Sequence, residues 1–439
     1  MSYPAYPKHI ATRWPDVGSV PSGWEARRLK FAVSLRNEKI EAEDSHLDYM
    51  GLEHIESWTG KRVEDESASS EGIATRFVED DVLFGKLRPY LAKAYLADQE
   101  GMATTEALVL VSEPALLPSF LKHLLLSDKF INAVSGSTYG AKMPRANWEF
   151  IGGLPILLPP LAEQQQIAAF LDWKTGQIDA LIARKQELLE KLKEKRITVI
   201  TQAVTQGLNP AVPMRDSGIP WLGHVPQHWD VKRIKFIGRV GNGSTPSREN
   251  PLYWDGGDYP WLNSSVVNQE AVTTADQFVT TEALAECHLP IVQPPAVLIG
   301  ITGEGKTRGM ATTLLFEATI NQHLAYLKPD PSEAVVGFVR RVFDMAYQYL
   351  RSESDGGGST KGAITCEQIA EMSIPVPSIA EQETIAVYLA TATQRVDRMQ
   401  EKVESAITRL TEYRTALITA ATTGKIDVRN VKVPAPAQP

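Results

Sequence analysis

The residues best suited to chemistry are Gly300-Ile-Thr-Gly-Glu-Gly-Lys306-Thr307, which satisfy the spacing G-x-x-x-x-G-K-[ST] and follow an apolar run, Ala-Val-Leu-Ile. Such a loop cradles phosphates only if it opens directly into a helix, whose first amides then point at the anion. Here the chain continues Arg-Gly-Met-Ala-Thr-Thr-Leu-Leu-Phe, with Gly309 and several β-favouring threonines, which predicts a second strand. No apolar strand ending in a Walker B-type aspartate follows. The glycines are therefore expected to form a turn between strands, and a P-loop NTPase using Gly300–Thr307 is the alternative.

Other catalytic constellations are missing. Asn250-Pro-Leu-Tyr253 resembles the Asn-Pro-Pro-Tyr/Phe motif of amino-methyltransferases, but it lacks the second proline and no glycine-rich cofactor loop follows a first strand. The eight histidines are scattered without metal-ligand spacing, so His54, His123 and His224 are read as surface or core residues and no metal site is assigned. Carboxylate pairs such as Asp80-Asp81 are read as solvated charge. With no nucleophile, base and orienting group to name, the chain is expected not to be an enzyme.

What remains are polar loops whose side chains suit phosphates and base edges. Lys86, Arg88 and Tyr90 lie in one, and Ser137, Thr138, Lys142 and Arg145 in another. Later come Ser244, Thr245, Ser247 and Arg248, then Asn263 and Ser264, then Thr302, Lys306, Thr307 and Arg308, and finally Ser359, Thr360 and Lys361. Arg and Lys reach guanine edges and Asn adenine edges, while Ser, Thr and backbone amides contact phosphate. We expect Lys, Ser and Thr to position the DNA backbone, with Arg88, Arg248 and Asn263 sampling bases.

These loops sit in a duplicated chain. VPSGWEARRLKFA at Val20–Ala32 aligns with VPQHWDVKRIKFI at Val225–Ile237, and DVLFGKLRPYL at Asp81 with AVLIGITGEGK at Ala296. TTEALVLVSEP faces NQHLAYLKPDP, and Leu161-Ala-Glu-Gln164 shares register with Ile379-Ala-Glu-Gln382, 218 residues later. Four matches in one order make chance improbable and indicate two copies of one unit. After each Ala-Glu-Gln the pattern turns helical. The second copy spaces Leu389, Val396, Met399, Val403, Leu410 and Leu417 on a 4-3 repeat. The first does the same with Leu171, Ile178, Leu181, Leu188, Leu192 and Val199, interrupted by lysines. That is a coiled-coil seam. With domain and helix alternating along the chain, antiparallel pairing and a pseudo-two-fold arrangement are expected. Pro118–Val134 and Val335–Leu350 read as matching shorter helices among short β runs.

Composition agrees with a globular protein: 439 residues, 43% hydrophobic and 22% charged, with two cysteines, Cys287 and Cys366, and no apolar run of membrane-spanning length. No secretory signal is evident, so a cytoplasmic location is expected. Net charge is −8, with 17 Lys+Arg against 22 Asp+Glu in residues 1–160 and 13 against 18 in 211–376. A DNA-binding face must therefore be a local basic patch, or partner proteins must share the work.

Taken together, the doubled Pro-x-x-Ala-Glu-Gln start of a long helix, SGIPWLGHVPQHWDVKRIKF, GNGSTPSRENPLYWDGGDYPWLNSS, TGEGKT, INQHLAYLKP, GGSTKGAI and DVLFGKLRPYL resemble the specificity subunit of type I restriction-modification systems. The first copy departs from the pattern, since its Trp14-Pro-Asp-Val stretch lacks the Trp-Leu-Gly of Trp221–Gly223. The resemblance implies a mixed α/β fold with two target recognition domains, at 1–158 and 211–376. Two long helices, within 159–210 and 377–430, would form an antiparallel coiled coil, and 431–439 a disordered tail. It further implies that each domain reads half of a bipartite site in double-stranded DNA and that the helix pair sets the spacer. The same helices would dock two methyltransferase subunits, with restriction subunits joining them. S-adenosylmethionine, ATP and magnesium would belong to those partners. A coiled-coil scaffold with no DNA role is a further alternative.

Overall fold

The computed structural model describes residues 3–434 except 16, 44, 65–71, 141, 304 and 356–361. The chain folds into two compact units that do not follow chain order. The first combines residues 1–187 with 404–439, and the second holds 188–403. Each therefore contains one mixed α/β domain and parts of both long helices, the central helix Leu161–Gln206 and the C-terminal helix Ile379–Thr422.

In the first unit one four-stranded sheet orders Val33–Leu35, Ala107–Ser112, Val82–Gly85 and Ala94–Leu96, and a second contains Lys39–Glu41, Ile73–Phe77, Gly101–Thr104 and Tyr49–Met50. In the second unit a five-stranded sheet orders Gly238–Asn242, Leu324–Pro329, Ala296–Gly300, Ala311–Leu314 and Ala271–Val272. Val82–Gly85 and Ala296–Gly300 are buried throughout, as unbroken apolar runs in central strands must be. Both pair on one side with a following hairpin partner and on the other with the strand of the third repeat match. The aligned segments are thus the same hairpin in the two copies. After an N-terminal hairpin, each domain is closed by pairing its next strand with its last, Glu25–Arg28 with Pro155–Leu158 and Asp230–Arg233 with Ser373–Val376.

The anticipated helix at Pro118–Val134 is two helices, Pro118–Leu125 and Asp128–Gly136. Ser127 breaks them, its hydroxyl accepting from Phe130 N as an N-cap. Its counterpart runs unbroken as Val336–Asp355.

The Ala-Glu-Gln motif fastens each long helix to its domain. Gln164 is buried; its Nε2 donates to Ala115 O and Pro159 O (2.9 and 2.8 Å) and its Oε1 accepts from Leu117 N (2.8 Å). Gln382 repeats this with Glu333 O, Pro377 O and Val335 N, each 218 positions on. These main-chain groups lie in turns, where no helix or sheet ladder would satisfy them. Glu163 adds a second tie in the first unit, accepting from Trp24 Nε1 at 3.0 Å.

Within each unit the two long helices run antiparallel. In the first, Gln166 Nε2 donates to Val428 O and Asp179 pairs with Arg414. In the second, Gly207 abuts Glu381 and Arg196 pairs with Asp397. The seam differs from the expected one at alternate positions. Leu171, Ile178, Leu192, Leu389, Val396 and Leu417 are buried, and Val199, Val403 and Leu410 partly so. Leu181, Leu188 and Met399, however, are more than 40% exposed. Their places are taken one residue later, by Thr175, Ile182, Leu189 and Arg196 in the central helix and Thr393, Gln400, Ile407 and Arg414 in the C-terminal helix. A heptad can step by three or by four, and apolar residues alone favoured the wrong step. The true positions hold threonines and arginines whose polarity is satisfied internally: Thr175 and Thr393 donate to Leu171 O and Leu389 O, at 2.7 and 2.8 Å.

The expected tail is also corrected. Val431 and Val433 pack on the first unit's core, and Gln166 Nε2 donates to Val431 O at 2.7 Å. Residues 435–439 lie outside the described residues. Asp81 is likewise not solvated; it is buried and takes two hydrogen bonds from Arg36 and one from Val78 N. No helix among the described residues is long and apolar enough to cross a membrane.

Candidate nucleic-acid interface

In the first unit the polar loops singled out from the sequence converge on the tip of the hairpin Val82–Gly85 and Ala94–Leu96. Arg88 N donates to Pro144 O (2.7 Å) and Ala146 N to Lys86 O (3.0 Å), while Tyr139 and Arg145 exchange main-chain hydrogen bonds. The tip and the segment 139–146 thereby form one patch. Arg88 holds φ 47°, a left-handed conformation that costs a non-glycine residue energy and persists where the surroundings impose it. It stands exposed, as do Tyr90 and Lys142, with Lys86 half-buried. Tyr139 and Met143, which no motif flagged, are also exposed on this patch.

Arg145 plays a different part. Its guanidinium forms a fork with Glu106, Nε to Oε2 at 3.0 Å and Nη2 to Oε1 at 3.0 Å, and Glu106 O accepts from Lys86 N. Arg145 thereby links Glu106, and through it Lys86, to the segment that carries it, with its own side chain still partly exposed. The Ser137 and Thr138 hydroxyls donate to Val134 O and Ser135 O, finishing the helix Asp128–Gly136.

In the second unit the glycine-rich loop joins Ala296–Gly300 to Ala311–Leu314, strand to strand. Gly309 N donates back to Gly300 O (2.8 Å), and a Cβ on Gly300 would lie 2.3 Å from Thr307 O. Both features belong to a hairpin turn. The loop runs on into a strand and not into a helix of its own, and a helix there is what makes a P-loop bind phosphate. Tyr347 and Arg351 instead hold the loop's carbonyls, at Lys306 O and Gly305 O. Lys306 is exposed and Thr307 half-buried, but Arg308 is only 4% exposed and is withdrawn from any surface role.

Beside that loop a polar chain runs from Thr302, whose Oγ1 is 2.7 Å from His323 Nδ1, through Gln322 to Thr245. Gln322 and His323 were missed as site residues although Asn-Gln-His-Leu was one of the repeat segments. Ser244 N is pinned to Ile320 O, and a Cβ on Gly243 would collide with that carbonyl, which explains the glycine. Arg248 does not project freely. Its guanidinium stacks on Trp254 at 3.7 Å and Trp261 at 4.8 Å and donates to Gln277. Ser247 O accepts from Trp254 Nε1 in the same cluster. Asn263 caps the turn Ser264–Asn268, accepting from Ser265 N, and Ser264 begins that turn. Asn250 likewise caps Pro251–Tyr253, which gives the Asn-Pro-Leu-Tyr stretch a structural account. Ser359, Thr360 and Lys361 lie outside the described residues.

Neither unit assembles a group of three or more His, Cys, Asp or Glu able to hold a metal among the described residues. His123 is fully buried with Nε2 2.9 Å from Asp172 Oδ1, and burial lowers its pKa so that the ring stays neutral. Burial opposes ionisation of Asp172, but its bonds to His123 and Lys122 outweigh that and hold the carboxyl well below its usual range. The trio ties the helix Pro118–Leu125 to the central helix.

The duplicated fold has known relatives. The type I restriction modification DNA specificity domain matches residues 21–194 and again 226–409. The chain belongs to that family. The two specificity domains start at the Val-Pro segment of each copy and run into its long helix. The chain is 31% identical over 183 residues to the MjaIX specificity subunit of Methanocaldococcus jannaschii, covering 38% of this chain and 39% of that one. It is 25% identical over 210 residues to the EcoDI specificity subunit of Escherichia coli, at 44% and 46% coverage. In these two comparisons the chain spans less than half of the relative. With the putative MjaX specificity subunit of M. jannaschii the match is 23% identical over 436 residues and covers 94% and 96%. Among solved structures, a chain from a study of complex assembly in a type I restriction-modification system aligns with a TM-score of 0.74 over 92% of this chain, at 20% identity. The HsdS subunit from Thermoanaerobacter tengcongensis aligns with a TM-score of 0.52 over the same share. At those identities the two structures speak to the fold of the tandem specificity domains.

Proposed function

We propose that this chain reads a split, asymmetric sequence in double-stranded DNA and leaves the chemistry to other polypeptides. Each unit contacts one half-site through its hairpin tip and the neighbouring loops, and the long helices fix the unspecified spacer between them. The observation that carries this reading is that the same hairpin bears different side chains in the two copies. Lys86, Arg88 and Tyr90 occupy one tip, while Thr302 and Lys306 with Gln322 and His323 beside them occupy the other. A common frame with divergent tips is what two readers of different sequences need. In the second unit the bases would be met first by this polar chain and Lys306, with Arg248 released from its tryptophans only on binding.

The partners are two adenine methyltransferase subunits and, for cleavage, restriction subunits, which bring S-adenosylmethionine, ATP and magnesium. Those partners also help an acidic chain to hold DNA. Comparing methylated adenines across the genome of a host with and without this chain tests the reading. A bipartite motif should be methylated only when the chain is present; an unchanged methylation map would refute it.

A further inference from the structure

Several residues shared by Val20–Ala32 and Val225–Ile237 are explained by burial: Val20, Trp24 and Leu29, and likewise Val225, Trp229 and Ile234, lie in the two cores. Burial does not explain Arg28, Lys30 and Phe31, which recur as Arg233, Lys235 and Phe236. Phe31 is 62% exposed and Phe236 64%. Both phenyls sit at the end of the same short turn, each with the preceding lysine over its ring, at 5.4 and 5.2 Å.

The cations' own partners differ between the copies. Arg28 stacks on Trp14, whereas Arg233 and Lys235 both pair with Glu371. Both turns rest on the end of the short helix before the last strand of their domain, Leu29 N donating to Leu154 O and Ile234 N to Met372 O, but that shared packing leaves both phenyls in water. The recognition tips diverge as well, so the retained feature does not follow the half-sites. An exposed phenyl kept twice on a basic turn fits a contact made twice, in one way, with one kind of molecule.

We propose that the Phe31 and Phe236 turns are equivalent docking points for one protein partner, present in two copies and offering an apolar pocket rimmed by carboxylates. A duplex backbone offers phosphates but nothing to enclose a phenyl ring. Aromatic and arginine side chains are the usual anchors of protein interfaces. In the first unit the turn abuts the helix Trp148–Gly153. Gly152 of that helix approaches Lys30 so closely that a Cβ there would come within 3.2 Å of the lysine Cβ. This inference rests on the proposed function, which makes the methyltransferase subunit the partner.

The test uses the full chain with the methyltransferase subunit of its own system, with stoichiometry and affinity read by native mass spectrometry and titration. The wild-type chain should bind two copies. Phe31→Glu and Phe236→Glu should each weaken one of them by about thirtyfold, the cost of losing a central interface anchor, and the double variant should bind neither. Phe31→Ala with Phe236→Ala, and Lys30→Glu with Lys235→Glu, should reduce affinity in the same order while the thermal midpoint of the free chain stays put. Two copies bound with unchanged affinity by every variant would overturn the docking proposal and leave the DNA-reading function intact. Variants that lose DNA affinity yet keep both partners would overturn it in favour of a DNA contact. A wild-type chain that binds no methyltransferase would overturn both.

Discussion

Asp179 of the central helix and Arg414 of the C-terminal helix meet at 2.8 Å in the first unit, and Arg414 continues to Trp58 O at 2.7 Å. Their counterparts 218 positions away, Asp397 and Arg196, are also paired, at 2.9 Å, in the second unit. The duplication has therefore produced two complementary ion pairs from one acid and one base per copy. Each pair is made between copies and never within one. A matched pair of this kind fixes the register of two antiparallel helices, because a slip of one residue separates both charges from their partners. Arg196 and Arg414 also reach the domain beside them, at Glu270 and Trp58 O, so the same residues orient the domain on the helices.

The two pairs differ in exposure, and their energies should follow. The Arg414 and Asp179 side chains are 6% and 12% exposed, against 20% and 42% for Arg196 and Asp397. Arg414→Ala should destabilise the first unit by about 1–3 kcal/mol, because it leaves the buried Asp179 with Lys61 alone and removes the donor to Trp58 O. Arg196→Ala should cost no more than about 1 kcal/mol. Thermal or denaturant melting checks the order; equal losses would contradict it.

Gln164→Leu should cost about 2–4 kcal/mol, since it removes the side-chain partner of three main-chain groups, one of them in a buried bond. Gln382→Leu should do the same in the second unit. A shift of the denaturation midpoint at constant slope is the expected signature.

The seam can be tested by substitutions one residue apart. Leu181→Ala and Met399→Ala should change stability by less than about 1 kcal/mol, because both residues are more than 40% exposed. Leu171→Ala and Leu389→Ala, at fully buried positions, should each cost about 2–5 kcal/mol. Equal effects would mean that the seam lies where apolar spacing alone puts it.

DNA binding should separate Arg88 from Arg145. Arg88→Ala should weaken binding of the cognate duplex by about 1–3 kcal/mol with little change in melting temperature. Arg145→Ala should lower both, because Glu106 then loses its partner and the loops their brace. Arg308→Ala should affect folding alone. Fluorescence titration with a labelled duplex, beside a melting curve, distinguishes the three.

The His123–Asp172 tie should make the first unit acid-sensitive in two stages. His123 titrates lower in the folded protein than the ordinary value near 6.5, so its contribution is complete above that pH and is lost as pH falls below it. Asp172 is depressed as well, and its share is present above about pH 4 and disappears in stronger acid. His123→Gln should flatten the first stage of a stability-versus-pH curve and Asp172→Asn the second.

Much of this protein was legible in its sequence. Duplication, strand–glycine hairpins and the two long helices all leave local patterns, and Gln164 and Gln382 were visible as a repeated motif because each copy uses them identically. The turn at Gly300–Thr307 was legible too, since Gly309 and the threonines after it are incompatible with a phosphate-binding helix. Other features had no local signature. Whether a heptad steps to Leu181 or Ile182 depends on the partner helix, and Thr175, Arg196, Thr393 and Arg414 become acceptable in a seam only because distant groups satisfy them. Arg145, Arg248 and Arg308 are equally basic in sequence, yet one is held by Glu106, one by two tryptophans and one by burial. Sequence fixes which residues a chain owns and which repeat. Which charges meet is decided by contacts between segments far apart in the chain, so only the tertiary structure separates arginines that stand exposed from those that hold the protein together.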